Sequence, residues 1–403
     1  MSKAHVVVVG GNFAGLSAAL EVKHLLSNEV AVTVVSKSDK FLFVPSLIWV
    51  PFGKRKPRDI SFELAPVLGA HGVEFVLDEA IRVDAAAQQV YTTKGSYAYD
   101  YLIIASGFNP QFDVIPGMQP GKHSYYCIAS LEQALQAHDG WKQFVDNPGP
   151  VVIGATQGAG CFGAAYEFLF NFAHELKKNR LHRKVPITFV TPEPFAGHFG
   201  IGGLRGGEKM LGFFFKKLGV DFIGGAAMQE IVPGEVRLAD GRPLPYKFAM
   251  IMPPFLGAEV VRRSNGLGDS KGLIPVKPNY QHTSLPNVYA AGASVAVSAP
   301  WQTPVAVGVP KTGFPSEVMA RVAAHNVAAH IEGKPSAKEK AFGDIPAVCV
   351  MDAGNMGVMI FSEKMLPPRK HELLIPGPQA HWAKLAFEKY YIWKMKNGYI
   401  SMP

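Results

Sequence analysis

Three cysteines stand in 403 residues: Cys127 in SYYCIAS, Cys161 in IGATQGAGCFGAAYEF and Cys349 in IPAVCVMDAGNMG. That is far too few for a disulfide-stapled scaffold of this length, and a lone cysteine is by default a small buried apolar residue. Cys161 has a more specific setting. It stands where a glycine turn passes into a helix, and the positive end of a helix dipole favours thiolate over thiol. A thiolate is the attacking group in sulfur exchange. Glu167, later on the same helix, is a candidate acid or base; the plainer alternative is a solvated helix carboxylate. Cys349 is flanked by apolar residues, which predicts burial. With one cysteine in each part of the chain, the three either converge at a domain junction or are unrelated buried thiols. No closely spaced cysteine pair suggests a metal site, and none is expected.

The elements that must position these residues are legible. HVVVVGGNFAGLSAALEVKHLL reads as strand, glycine turn and helix, the opening of a dinucleotide-binding unit, and VAVTVVSKSD closes the βαβ. Gly10 permits the tight bend and Gly15 close helix packing, with Asn12 where the middle glycine is usual. A pyrophosphate would lie on the backbone N–H groups of this turn, Ala14 included. Ser36 and Lys37 occupy the place of the acidic residue that often holds the adenosine ribose, and a hydroxyl is able to bond a ribose there. YDYLIIASG, ending at Gly107, and NVYAAGASVAV, containing Gly292, are buried-strand patterns whose small residues let backbone approach a ligand. Together these features point to FAD rather than NAD.

Between them, PVVIGATQGAGCFGAAYEF repeats the strand-turn-helix pattern with a longer loop, and VPITFVTPE follows as its next strand. The second loop lacks a clean GxGxxG, and no carboxylate follows its second strand before Glu193, so a nicotinamide dinucleotide is disfavoured there. The expected fold is α/β with two Rossmann-like domains, one inserted in the other. Residues 1–112 and 276–335 form the FAD-binding domain, 113–275 the second Rossmann-like domain, and 336–403 a C-terminal quinone and membrane region.

A formal charge of +8 is compatible with a nucleic-acid, membrane or anionic-substrate partner. No RNA-binding signature or basic stretch with interleaved aromatics supports nucleic acid. The N-terminal apolar run is too short for a signal peptide and no stretch is long enough to cross a bilayer, so any membrane contact is expected to be peripheral, at the cell membrane. The tail HWAKLAFEKYYIWKMK puts Trp382, Ala386, Tyr390 and Trp393 on one helical stripe, with Phe387 and Tyr391 beside it. Lys384, Glu388, Lys389 and Lys396 fall mostly opposite. This reads either as an interfacial anchor or as a core-facing terminal helix.

Over nearly its full length the chain resembles the sulfide:quinone oxidoreductases, membrane-associated flavoproteins of the glutathione-reductase-like fold. The resemblance rests on IGATQGAGCFGAAYE, EPFAGHFGIGG, TPVAVGVPKTG, AVCVMD and AKLAFEKYYIWKMK, in that order. It implies a two-electron oxidation of sulfide to enzyme-held polysulfur, with FAD passing electrons to a membrane quinone. Cys161 and Cys349 would be the redox pair, bridged by sulfur at rest, with Cys349 next to the flavin. Cys127 resembles a third cysteine that in some relatives is attached covalently to the FAD and in others assists sulfur release. Glu167 and His198 would handle protons; Leu131 replaces a further histidine of some relatives. Pro45, Ala80, Lys311, Thr312 and Gly313 complete the implied cofactor set, Lys311 placing positive charge near the reduced flavin. Gly313, Val350, Lys384, Phe387 and Tyr391 would line the quinone channel, Val350 standing where some relatives have an aromatic. The chain ends soon after its first tail helix, which implies weaker membrane attachment unless oligomerisation of identical chains adds contacts. Two neighbouring families stand as alternatives. A type II NADH:quinone dehydrogenase would want a proper nicotinamide site and no cysteines, and a flavocytochrome c sulfide dehydrogenase subunit would want a haem partner and an export signal.

Overall fold

The computed structural model describes residues 3–311 and 313–400. The N-terminal strand Ala4–Val9 ends in four valines, Val6 to Val9, 3% exposed or less, because helices cover the sheet it belongs to and β-branched side chains pack well on a pleated surface. It is the centre of a five-stranded parallel sheet in the order Val288–Ala290, Tyr101–Ile104, Ala4–Val9, Val30–Ser36, Glu74–Leu77. The helices Phe13–Leu26 and Gly313–Ile331 pack on each other beside it.

A second parallel sheet has Val151–Ala155 at its centre, in the order Tyr125–Tyr126, Phe248–Met252, Val151–Ala155, Ile187–Val190, Val220–Ile223. All its strands lie in sequence between two neighbouring strands of the first sheet. That is the nesting the two small-residue strand ends imply. Where the chain leaves and re-enters, Phe108–Pro110 pairs antiparallel with Phe255–Gly257, and the rings of Phe108 and Phe255 stack with centroids 3.6 Å apart.

The last part builds a three-stranded antiparallel sheet, Ala347–Asp352, Gly357–Ser362 and Glu372–Gly377, followed by the helix Pro378–Lys396. The burial of this helix shows which of the tail's two faces is inside. Lys384, Glu388 and Lys394 are turned inward, with 4%, 0% and 2% of their surface exposed, while Trp382 and Trp393 are 67% and 48% exposed. Each inward charge has a partner on another element. Lys384 pairs with Glu167, Glu388 with Arg55 at 2.8 Å, and Lys394 with Glu317 at 2.7 Å. The Tyr391 hydroxyl also donates to Glu317, at 2.8 Å. Buried charges need such partners, so Lys384, Glu388 and Lys394 dock on the protein with Tyr391, while Trp382 and Trp393 are left outside with Lys389 and Lys396. Among the described residues no helix is long and apolar enough to cross a membrane.

Candidate active site

Cys161 is the N-cap of the Phe162–Lys178 helix, and Cys349 lies within the Ala347–Asp352 strand. The helix packs against the strand. Burial pushes the Cys349 thiol up to about 12, reinforced by the negative charge of Glu167 and by Cys161, against the opposing pull of Lys384. Burial, Glu167 and Lys384 act on Cys161 as well: burial raises its thiol most, Glu167 raises it further, and the amides of Ala164 and Gly163 and the charge of Lys384 lower it. Two cysteines far apart in the chain therefore share one electrostatic cluster with Glu167 and Lys384. Two expectations are corrected here. The helix dipole does not leave Cys161 with a lowered pKa, because desolvation outweighs the amides. Cys349 is not sealed in a core: its surface is solvent-accessible, although the surrounding protein desolvates the thiol.

Glu167, 8% exposed, is fixed from two sides. The Asp352 backbone N–H donates to its Oε1 at 2.7 Å, and the Lys384 ammonium bonds the same oxygen. Burial raises its carboxyl above the ordinary range, with Lys384 opposing. Asn171 ties helix to strand by donating at 3.0 Å to the carbonyls of both Glu167 and Asp352. The Asp352 carboxylate in turn accepts from Trp49 Nε1 at 2.8 Å and lies 2.5 Å from His381 Nδ1. Burial works to raise Asp352, but the bonds from His381 and Trp49 prevail and its pKa is lowered. Sequence reasoning missed Asp352, His381, Trp49 and Asn171. Asp352 ends the quoted AVCVMD stretch, but nothing local ties it to Trp49 or His381.

The other sulfur and proton candidates lie apart. Cys127 is fully buried, its thiol pushed up to about 12 by burial, and neither other cysteine is among the groups acting on it. His198 is 4% exposed and packs edge-on to Trp301, with centroids 4.8 Å apart. Burial, then the charge of Arg369, depresses it to about 4, which keeps the imidazole neutral. Its Nδ1 and the Trp301 Nε1 are both buried without a hydrogen-bond partner.

The first glycine turn fits a dinucleotide. Gly10 has φ +107°, and a Cβ there would lie 2.3 Å from the Ala105 carbonyl oxygen. Ala14 lies against Gly292, and Phe13 against Gly313, so the turn, the two strand ends and the Gly313–Ile331 helix meet in one place. Gly107 has φ +73°, and the neighbouring Ser106 hydroxyl is buried with no partner, a group able to bond a ligand. Lys311 donates to the Val295 carbonyl at 2.8 Å and burial depresses its ammonium to about 8, a cation that a neighbouring anion would stabilise. Asn12 Oδ1 accepts from the Leu42 N–H at 3.3 Å, and the Ser36 hydroxyl donates to the Ser38 carbonyl at 2.9 Å, so Ser36 is engaged in its own turn. Lys37 is exposed, Pro45 lies in the Val44–Trp49 3₁₀ helix, and Ala80 opens the Ala80–Asp84 strand; Thr312 lies outside the described residues. Gly15→Ala would put a Cβ 1.8 Å from the Gly10 carbonyl oxygen. The expected outcome is purified protein with little bound flavin, read as the ratio of visible to ultraviolet absorbance, and a lowered Tm.

The second turn is closed by the protein itself. The N–H groups of Gly158 and Gly160 donate to Ala306 and Pro253, at 2.7 and 3.0 Å, and Ala159 N–H donates to Thr156 at 3.1 Å. A Cβ on Gly160 would lie 2.1 Å from the Phe255 ring. Glu193 is fully buried and accepts from Tyr166, Thr191 and the Phe199 N–H at 3.0, 2.7 and 2.6 Å, so it organises its own loop rather than facing a ribose.

Of the implied quinone residues, three join one aromatic chain. Gly313 touches Phe13, whose ring lies 5.2 Å from Tyr391, which lies 5.6 Å from Phe387, itself 41% exposed. Lys384 belongs instead to Glu167, and Val350, next to Cys349 on its strand, points to the opposite sheet face.

A dinucleotide cradle, a second parallel sheet with a closed turn and a thiol pair describe a pyridine nucleotide-disulphide oxidoreductase, and the model of that family matches residues 4–309. A sulfide-quinone reductase of Aquifex aeolicus (strain VF5) is 35% identical over 404 residues, covering 98% of this chain and 92% of its own. An X-ray structure of the sulfide:quinone oxidoreductase from that hyperthermophilic bacterium matches with a TM-score of 0.94 at 35% identity, covering 99% of this chain and 93% of the other. Within the wider class, the chain belongs to the sulfide:quinone oxidoreductase family. A type II NADH:quinone oxidoreductase of Staphylococcus aureus (strain NCTC 8325 / PS 47) is 27% identical over 204 residues, which is 47% of this chain and 49% of its own.

Proposed function

We propose that this chain is an FAD-dependent sulfide:quinone oxidoreductase in which Cys161 and Cys349 handle sulfur and Glu167 handles the proton. The observation that carries the reading is the convergence of these three groups with Lys384. When bound, FAD accepts two electrons from sulfur and delivers them to a quinone. The chain's own residues do the rest. With the two cysteines joined through sulfur, hydrosulfide attacks the bridge: a new S–S bond forms on the Cys161 side, the bond to Cys349 breaks, and the electron pair leaves on Cys349 sulfur. The Lys384 ammonium favours an anion at this place, and the Glu167 carboxylate, made more basic by burial, takes the proton of the incoming sulfide. Cys127 has no part in the bridge, and the neutral His198 is a hydrogen-bonding group whose Nδ1 has no protein partner.

The aromatic chain from Phe13 to Phe387 supports a quinone path ending at the exposed stripe of the C-terminal helix. That stripe supports peripheral membrane binding, since Trp and Tyr favour the headgroup region. The double variant Trp382→Ser/Trp393→Ser is expected to bind anionic vesicles about tenfold more weakly in a flotation assay. Unchanged binding would assign the stripe to another partner.

Anaerobic titration tests the main reading. Stoichiometric sulfide is expected to bleach the flavin, added quinone to restore it, and NADH to leave it oxidised because the N–H groups of Gly158, Ala159 and Gly160 in the second turn are already bonded to the protein. Bleaching by NADH and not by sulfide would overturn the assignment in favour of an NADH dehydrogenase.

A further inference from the structure

We infer that the cavity between the Phe162–Lys178 and Gly207–Leu218 helices and the antiparallel sheet is a binding site for a fatty acid, its alkyl chain among apolar walls and its carboxylate at a mouth of lysines. The cavity measures about 770 Å³, within the ~300–1,000 Å³ usual for small-molecule sites. Neither Cys161, Cys349 nor Glu167 lines it, so its occupant is not a reactant in sulfide oxidation. The site stands apart from the redox chemistry.

Two helices and the sheet set its polarity. Along the first helix Phe170, Ala173, His174 and Lys177 recur at the spacing of one helical face, and along the second Met210, Leu211, Phe214 and Lys217 do the same. Each row begins apolar and turns basic in the last turn, about 10 Å further along. His174 does not break the apolar stretch: burial, then the charge of Lys54, holds its imidazole below the ordinary pKa and so neutral. The third wall is apolar throughout, with Met351 opposite Val358 and Ile360 opposite Leu374 on adjacent strands.

The mouth carries one sign of charge. Lys177, Lys178 and Lys217 are exposed, as is His182 in the segment after the first helix. A lysine in a helix's last turn ordinarily complements the dipole, but here two helices bring theirs to a single opening. Lys178 lies 3.9 Å from Glu175, whereas among the described residues Lys177 and Lys217 form no ion pair. The one lining carboxylate, Asp352, is already engaged by Trp49 and His381. An anion at this opening therefore meets cations without a competing carboxylate. A single-chain carboxylate uses both features, its alkyl chain leaving water against Phe170, Leu211 and Phe214 while its head takes the free ammonium groups. A neutral isoprenoid tail would use the walls and leave the lysines idle.

The test is equilibrium dialysis of radiolabelled laurate and of methyl laurate against the flavin-loaded full chain. Wild type is expected to bind one laurate per chain, about tenfold or more tighter than the ester, which keeps the alkyl chain and loses the charge. Lys177→Glu/Lys217→Glu changes only exposed side chains and is expected to abolish that preference. Ala173→Phe puts a ring into the lumen and is expected to weaken both ligands by about tenfold or more. Trp382→Ser/Trp393→Ser is expected to bind as wild type does. Absence of saturable binding in the wild type, equal binding of acid and ester, or a preference unchanged in the lysine variant overturns the proposal, and these three decide it even if Ala173→Phe does not fold. Unchanged binding in a folded Ala173→Phe overturns it too. So does loss of laurate binding with the two tail tryptophans, which places the ligand on the outer stripe, or a two-chain phospholipid extracted from the wild type and missing from Ala173→Phe.

Discussion

Cys349→Ser is expected to keep its flavin bound and oxidised in excess sulfide, with the rate of bleaching lowered by about 10³-fold or more. Serine is nearly the same size but cannot form an S–S bond, so the sulfur bridge is lost and nothing else moves far. The strand position is solvent-accessible, which limits the stability change to about 0.5 kcal/mol. Cys161→Ser is the sharper control. Serine is a preferred N-cap, so the Phe162–Lys178 helix is expected to hold or gain stability while the chemistry disappears. Anaerobic stopped-flow at the oxidised flavin band reads both. Bleaching at the wild-type rate in either variant would show that the thiol pair is not the route of electrons.

What the chain reveals of itself follows the range of the forces involved. The Gly10 turn, the valine strand after it and the nested second sheet were legible because backbone sterics and burial patterns are local. The proposed pairing of Cys161 with Cys349 comes only through resemblance, since no spacing connects a helix start to a strand of the last sheet. Local physics misjudged the Cys161 thiol: the helix end acts as expected, but the tertiary surroundings remove water and add Glu167. The tail is a case left open by local pattern. Periodicity identifies two faces without saying which is inside, and Lys384, Glu388 and Lys394 are inside because Glu167, Arg55 and Glu317 wait there on other elements. The closed second turn is the converse case. Its missing glycine pattern agrees with N–H groups already bonded to Ala306, Thr156 and Pro253.

Lys384→Met is expected to cost about 3–5 kcal/mol at neutral pH, seen as a lowered urea midpoint, because it leaves a carboxylate enclosed with its cation gone. Glu167 would keep the Asp352 N–H and lose its one strong counter-charge. Its pKa is already raised by burial, and Lys384 is the main influence holding it down, so removal of the cation raises it further. A carboxyl with a raised folded-state pKa stabilises the fold fully below the ordinary carboxylate value and loses that contribution as pH rises through the folded value. The variant is therefore expected to approach wild-type stability in acid and to fall away towards neutrality. Adding Glu167→Gln removes the stranded charge while keeping an acceptor for Asp352, so the double variant is expected to recover most of the midpoint and to lose the slope. Its sulfide oxidation should stay slow, since the proton acceptor is gone. A single variant as stable as wild type at pH 7 would remove the ion pair from the forces docking the C-terminal helix, and a double variant of full activity would remove Glu167 from the chemistry.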